Sequence, residues 1–462
     1  MSLRLSAALA AGRLVAGLSR RLGRGGGTVI AGHVVPRIAP GALATVTRRL
    51  PQGSVIVSGT NGKTTTTRLI AHIARQSGLE TMHNRAGANL LTGLVTTAMT
   101  GSSLRGWPSA HLGLFEVDEA TLPHALAHIA PRALLLTNIF RDQLDRYGEV
   151  HYVATLWRRA LATLPPETTL VLNADDPLVA SLADELPNPR VFFGVDDASV
   201  AASESPHASD ARLCPRCNAP LRYTAAFYGH LGHYACSACS FRRPHADVSA
   251  ISVHLASERG STVHLTLPAG ELEADLPLPG LYNVYNALAA SAVAECLQTS
   301  RPVLQSSLTS FQAAFGRLER VAVGDREIFL ALVKNPVGFT EVLRTITGGE
   351  RPLHLMIAIN DLFADGTDVS WLWDVEFELL AGRVARVTCG GVRAHDMAVR
   401  LKYAGINPAR ITVAPELDGA LDEALGGVPS GGTLYALPTY TAMLETRRLL
   451  AARGLVSGFW ED

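Results

Sequence analysis

The feature that most limits what this 462-residue chain can fold into is a strand running directly into a phosphate loop. Ser54-Val55-Ile56-Val57 is the short apolar run of a strand buried on both faces, and Gly59-Thr60-Asn61-Gly62-Lys63-Thr64-Thr65 follows it. Gly59 and Gly62 let backbone N–H groups turn toward phosphate oxygens. Lys63 adds a point charge, and the Thr64 hydroxyl stands at a helix N-terminus within reach of Mg²⁺. The loop departs from G-x-x-x-x-G-K-[ST], because Val57 stands where the first glycine falls. A chance Gly-Lys-Thr turn is the competing reading; the strand before and the helix-compatible run Thr65 to Gln76 after argue against it.

Strand-like runs recur at Leu112 to Phe115, Ala133 to Leu136 and Leu170 to Leu172, separated by helical spacing such as Tyr152 to Ala162. Strands alternating with helices predict an α/β fold with a doubly wound parallel sheet. Between about Val200 and Asp247 the chain turns polar, aromatic and Cys-rich, which marks 205–247 as an inserted module. Alternation returns at Val253 to Leu255 and Val263 to Leu267, and a helical run covers Asn286 to Leu297. Beyond Ser300 a second series begins, with strands expected at Ile328 to Val333, His354 to Ile359, Val384 to Thr388, Ile411 to Val413 and Thr433 to Ala436. The expected organisation is therefore a central ATP-binding unit, 51–299, and a Rossmann-like C-terminal α/β unit, 300–462. Residues 1–50 are expected to form a helical segment on the central unit, since Arg4, Arg13, Arg20, Arg21 and Arg24 interrupt any signal-peptide core.

Lys+Arg and Asp+Glu are equal at 41 each, so no net field holds the chain to nucleic acid or an anionic membrane. A hydrophobic content of 47% excludes a mainly disordered chain. No apolar run reaches the roughly 18 residues of a membrane span. Four of the six Cys fall in one segment, the pattern of a metal site in a reducing compartment, and a cytoplasmic location follows.

Those four are Cys214-Pro215-Arg216-Cys217 and Cys236-Ser237-Ala238-Cys239, at zinc-ribbon spacing. Four thiolates close a tetrahedral shell, which favours structural zinc; two disulfides or four free thiols are the alternatives. His230 and His233 are read as core or solvated residues, and Cys296 and Cys389 as structural thiols. A further cluster, Ile359-Asn360-Asp361-Leu362-Phe363-Ala364-Asp365-Gly366-Thr367-Asp368-Val369-Ser370-Trp371-Leu372-Trp373-Asp374, carries four carboxylates and two Trp. On its residues alone it is either a solvated acidic loop with both Trp in the core or a functional site.

The loop from Gly59 to Thr65 resembles the ATP loop of the Mur ligases and folylpolyglutamate synthases. Glu116, Thr137-Asn138-Ile139, Asp142-Gln143-Leu144-Asp145-Arg146, Asn173-Ala174-Asp175-Asp176 and Gly280 to Ala287 resemble that family's later motifs, in order. Gly316-Arg317 and Asn335-Pro336 resemble landmarks around its C-terminal unit. Gln143 and Lys334 replace family His residues, and no Lys occurs between Val150 and Pro189, where many Mur ligases carry a carbamylated Lys. A zinc ribbon inside such a unit, followed by N-D…A-D-G-x-D-x-S-W, is similar to the MurT family, ligase subunits that amidate the D-glutamate of lipid II.

That resemblance implies ATP bound by Gly59, Thr60, Asn61, Gly62, Lys63, Thr64, Thr65, Asn286 and Arg317, with Mg²⁺ on Thr64 and Glu116. It implies catalysis by Lys63 and Glu116, and structural Zn²⁺ on Cys214, Cys217, Cys236 and Cys239. It also implies a heterodimer with a GatD-type glutaminase whose triad Asp368 completes, with Asp361, Asp365 and Asp374 as fallbacks. Lipid II as substrate implies peripheral contact with the inner face of the membrane. The rivals are a stand-alone Mur or folylpolyglutamate-type amino-acid ligase and a non-catalytic scaffold.

Overall fold

The computed structural model describes residues 3–21, 28–84, 88–142, 150–202, 210–312, 317–349 and 351–456. Strands β1 (Ser54–Ser58), β2 (Thr81–His83), β3 (Leu112–Glu116), β4 (Ala133–Leu136), β5 (Thr169–Asn173) and β6 (Arg190–Val195) come first. The hairpin β7 (Leu221–Tyr228) and β8 (Leu231–Cys236) follows, then β9 (Val248–Leu255), β10 (Ser261–Leu267) and β11 (Gly270–Leu276).

Among the described residues these build a nine-stranded sheet in the order β11-β10-β9-β6-β5-β4-β1-β3-β2, with β7 and β8 paired outside it. From β2 to β9 neighbours run parallel. Every residue of β1, β3 and β4 is buried, as expected of central strands covered on both faces. The parallel doubly wound sheet predicted from sequence is thus present, with an addition. The short links Ala256 to Gly260 and Pro268-Ala269 admit only hairpins, so β9, β10 and β11 form an antiparallel edge.

The N-terminal helices Leu3–Arg21, Thr28–Ile38 and Ala42–Thr47 cover one face of this sheet. Leu9, Val35 and Leu43 share a core there with Ile56, Phe115 and Leu134. The other face carries the Lys63–Gln76 and Leu281–Cys296 helices. The Arg301–Ser310 helix, given by sequence to the C-terminal unit, also packs here, with Leu304 and Leu308 beside the core of Leu69 and Ile70.

The second sheet comprises β12 (Arg317–Val323), β13 (Arg326–Ala331), β14 (Leu353–Ala358), β15 (Val384–Gly390), β16 (Ile411–Val413) and β17 (Thr433–Pro438). Its order is β12-β13-β17-β14-β15-β16, parallel except for the β12–β13 hairpin. Helices Pro336–Thr347, Ala394–Tyr403, Leu417–Gly426 and Tyr440–Ala452 flank it. The carboxyl ends of β1, β3 and β4 and of β13, β14 and β17 open onto one cleft, where open α/β sheets bind ligands. No helix among the described residues is long and apolar enough to cross a membrane.

Candidate nucleotide site and metal centre

The phosphate loop is built by two backbone conformations that a side chain would spoil. Gly59 has φ +140°, and a Cβ there would lie 2.0 Å from Thr137 Oγ1; Gly62 has φ +86°, and its Cβ would meet Asn286 Oδ1 at 2.1 Å. Neighbouring strands pin the loop: Thr60 N–H donates to the Asn138 carbonyl (3.0 Å), Asn61 N–H to Asn138 Oδ1 (2.8 Å), and Thr137 Oγ1 to the Asn61 carbonyl (2.9 Å). The Asn61 and Asn335 side chains exchange amide hydrogen bonds of 2.9 and 3.3 Å, joining the loop to the C-terminal unit.

Lys63 is buried, with Nζ 2.9 Å from Glu119 Oε2 and donating also to the Gly59 and Thr60 carbonyls. Burial opposes its charge, yet Glu119, Asp118 and Glu116 outweigh that and raise its pKa above the ordinary value. Thr64 Oγ1 donates to Glu116 Oε2 at 2.8 Å. A hydroxyl and a buried carboxylate oxygen at this spacing match an edge of an octahedron with bonds of about 2.1 Å, so the pair fits Mg²⁺.

These groups open into a cavity of about 410 Å³, lined also by Thr65 and by Lys334, Phe363, Asp365 and Tyr440 of the C-terminal unit. Lys334 Nζ lies 2.6 Å from Asp142 Oδ2 and 3.3 Å from the Thr60 carbonyl. Asn286, at the cavity wall, accepts from Thr66 Oγ1 (3.2 Å) and donates to Asn283 (2.9 Å). Arg317 opens β12, while its side chain, Gly316 and Gln143 to Arg146 lie outside the described residues. Asp118 and Glu119, which the sequence patterns did not single out, both line the cavity. Their signal is the acidic run Glu116-Val117-Asp118-Glu119 at a strand's carboxyl end.

The four cysteines converge at the base of the β7–β8 hairpin, with ligand atoms all within 4.8 Å of one another. Sγ–Sγ separations are 3.7 Å for Cys214–Cys239 and 3.4 Å for Cys217–Cys236. These are far from the roughly 2.05 Å of a disulfide and close to the edge of a tetrahedron with Zn–S bonds of about 2.3 Å. N–H groups of Ala238 and Cys239 aim at Cys236 Sγ and lower that thiol to about 6, toward the thiolate a metal needs. The donor set fits zinc. It packs on Ala180, Tyr234 and Phe241, away from the nucleotide cavity. His230 is buried 3.2 Å from Asp176, so it belongs to the core; burial pushes Cys296 up to about 11 and Cys389 up to about 12.

The acidic cluster is ordered by local bonds. Asp361 pairs with Arg393 (2.7 Å), buried Asp365 accepts from Thr441 N–H (2.8 Å) and Oγ1 (2.5 Å), and Gly366 turns the chain at φ +86°. Asp368 is exposed, and the hydroxyl and N–H of Ser370 hold its carboxyl below the usual range. Trp371 packs with the second core as expected, but Trp373 is 56% exposed against Tyr403 and Arg400, because its segment is a surface 3-10 turn. Leu362, Phe363 and Val392 are exposed on the same unit.

Two family models match the chain: the Mur ligase middle domain at 57–214 and the MurT ligase C-terminal domain at 332–443. The lipid II isoglutaminyl synthase (glutamine-hydrolyzing) subunit MurT of Streptococcus pneumoniae is 35% identical over 99% of both chains. Its counterpart in Staphylococcus aureus is 29% identical over 92% of this chain and 93% of its own. Among solved structures, a pseudomurein peptide ligase type C from Methanothermus fervidus superposes with TM-score 0.67 at 22% identity, covering 88% of this chain and 80% of its own. MurF from Thermotoga maritima in complex with ADP gives 0.63 at 13% identity, over 92% and 85%. The MurT-type C-terminal match and the full-length identity agree with the site assembled between the two sheets: the chain belongs to the MurT family of Mur ligases.

Proposed function

We propose that this chain is the ATP-dependent ligase subunit that activates the α-carboxylate of D-glutamate in the lipid II stem peptide. The γ-phosphoryl of ATP passes to that carboxylate to give an acyl phosphate, and ammonia from a GatD-type glutaminase displaces phosphate to leave D-isoglutamine. The observation that carries this reading is the loop after β14. Phe363, Ala364 and Asp365 line the nucleotide cavity, and three residues later Asp368 faces solvent with its carboxyl held ionised. An exposed, ionised carboxylate at this position fits the need of a partner's Cys–His pair, because an Asp orients the imidazole that activates the thiol.

In this reading Lys63 leaves Glu119 to meet the β- and γ-phosphates, while Asn286 and Arg317 help seat the nucleotide. Thr64 and Glu116 hold Mg²⁺, which when bound neutralises phosphate charge. The four cysteines hold structural Zn²⁺ that fixes the β7–β8 hairpin. Membrane contact is peripheral, on the cytoplasmic side, through lipid II.

The test is the purified complex with its glutaminase partner. Lys63→Ala is expected to abolish amidation and leave glutamine hydrolysis and assembly intact. Asp368→Asn is expected to cut glutamine hydrolysis by roughly 10³–10⁴-fold, the scale of losing a triad carboxylate. Full glutaminase activity in Asp368→Asn overturns the shared triad.

A further inference from the structure

A second cavity of about 1060 Å³ lies between the two units, walled in part by Phe227, Leu281, Arg344 and Trp373. The segment that presents Asp368 becomes the lining of this space from Trp373 to Glu376. Beside this segment, Glu341 of the Pro336–Thr347 helix lines both this cavity and the nucleotide cavity, and it is the one described residue common to the two. Its negative charge reaches the Tyr228 and Tyr282 hydroxyls, which line the smaller space.

Four carboxylates, Glu341, Asp374, Glu376 and Glu378, line the larger cavity against three guanidinium groups, Arg141, Arg344 and Arg400. Asp374 faces Arg141 (3.7 Å), Glu376 faces Arg344 (2.9 Å), and Glu378 faces Arg400 (2.9 Å). Glu341 and Glu376 share the single Arg344 guanidinium, at 3.4 and 2.9 Å, which leaves the cavity one carboxylate in excess. A carboxylate in excess, 7% exposed and sited between two cavities, suits a small cation in transit.

We infer that Glu341 is an ammonium-binding residue at the neck between the cavities, taking nitrogen from the Asp368 side and releasing ammonia toward the nucleotide. The inference rests on the reading of the chain as an amidating subunit. Ammonium gives one proton to the Glu341 carboxylate and goes on as neutral ammonia; the proton then leaves Glu341 for water in the larger cavity. Attack on the acyl phosphate forms the C–N bond and breaks the C–O bond, and the proton lost from nitrogen ends on the departing phosphate. Burial pushes the Glu341 carboxyl up to about 7, so it accepts and returns a proton near neutrality.

The test uses the complex with its glutaminase partner, with Glu341→Leu and the isosteric Glu341→Gln beside wild type. Glutamine hydrolysed and amide formed are counted in one reaction. Wild type is expected to produce them in equal amounts. Both variants are expected to raise glutamine consumed per amide about tenfold, the scale of one lost charge-assisted contact, with the glutaminase rate unchanged. An unchanged ratio overturns the inference. So does a raised KM for lipid II at an unchanged ratio, which would assign Glu341 to an amine of the stem peptide. A wild-type complex that forms no amide from glutamine fails at the earlier step and refutes the reading beneath it.

Discussion

Replacing Glu119 by Gln gives a loss of stability whose size depends on nucleotide. Without ligand, Glu119 is the nearest carboxylate to buried Lys63, at 2.9 Å. At an effective dielectric of about 20, that separation corresponds to roughly 6 kcal/mol of attraction. Desolvation offsets part of it, and Asp118 and Glu116 still face the ammonium, so the expected net loss is about 2–4 kcal/mol. For a unit of this size that lowers Tm by roughly 5–10 °C. Phosphate oxygens supply the missing negative charge, so MgATP is expected to recover most of the loss and to bind the variant more tightly than wild type. Differential scanning fluorimetry across an ATP titration reads both effects. A Glu119→Gln protein that melts with wild type, or whose deficit persists at saturating MgATP, would refute the picture of Lys63 held in reserve by Glu119.

Asn335 caps the Pro336–Thr347 helix through Gly338 N–H and also pairs with Asn61, so Asn335→Ala is expected to lower stability by about 1–2 kcal/mol and weaken ATP binding, read by chemical denaturation and calorimetry. Cys236→Ser is expected to lose zinc, seen by native mass spectrometry, and to loosen the hairpin while MgATP affinity stays within about twofold, since the cluster lies off the nucleotide cavity. Glu341 has a folded pKa raised from 4.5 to about 7, so its contribution to stability is fully present below about 4.5 and lost as pH rises through about 7. Wild type is therefore expected to lose up to about 3 kcal/mol more than Glu341→Gln between pH 4.5 and pH 8 in urea melts; parallel profiles would refute it.

The nucleotide loop was legible because its glycines, Lys63 and Thr64 are contiguous and bounded by a strand and a helix. β1, β3, β4 and β5 stood out as unbroken apolar runs. β2 did not, being three residues long, and β12 did not, because Arg317, Glu319 and Arg320 interrupt its apolar positions. β11, with Leu272, Ala274 and Leu276 buried between acidic residues, carries a period of two that is plain once β10 is beside it. Glu341 was hidden for another reason: a single Glu on an amphipathic helix reads as solvent-facing until tertiary packing buries it.

The amide exchange between Asn61 and Asn335, like the contact of Lys334 with Thr60, joins groups 274 positions apart in the chain. Such contacts carry the highest loop-closure cost and form late in folding. The consequence is one of timing during synthesis. When the phosphate loop has been made and its glycines have turned, most of the residues that line the cavity are still untranslated, and Thr439 and Tyr440 come near the end. The growing chain holds an unfinished ATP site until almost all of it has been made, so the energy-consuming chemistry cannot start on a fragment.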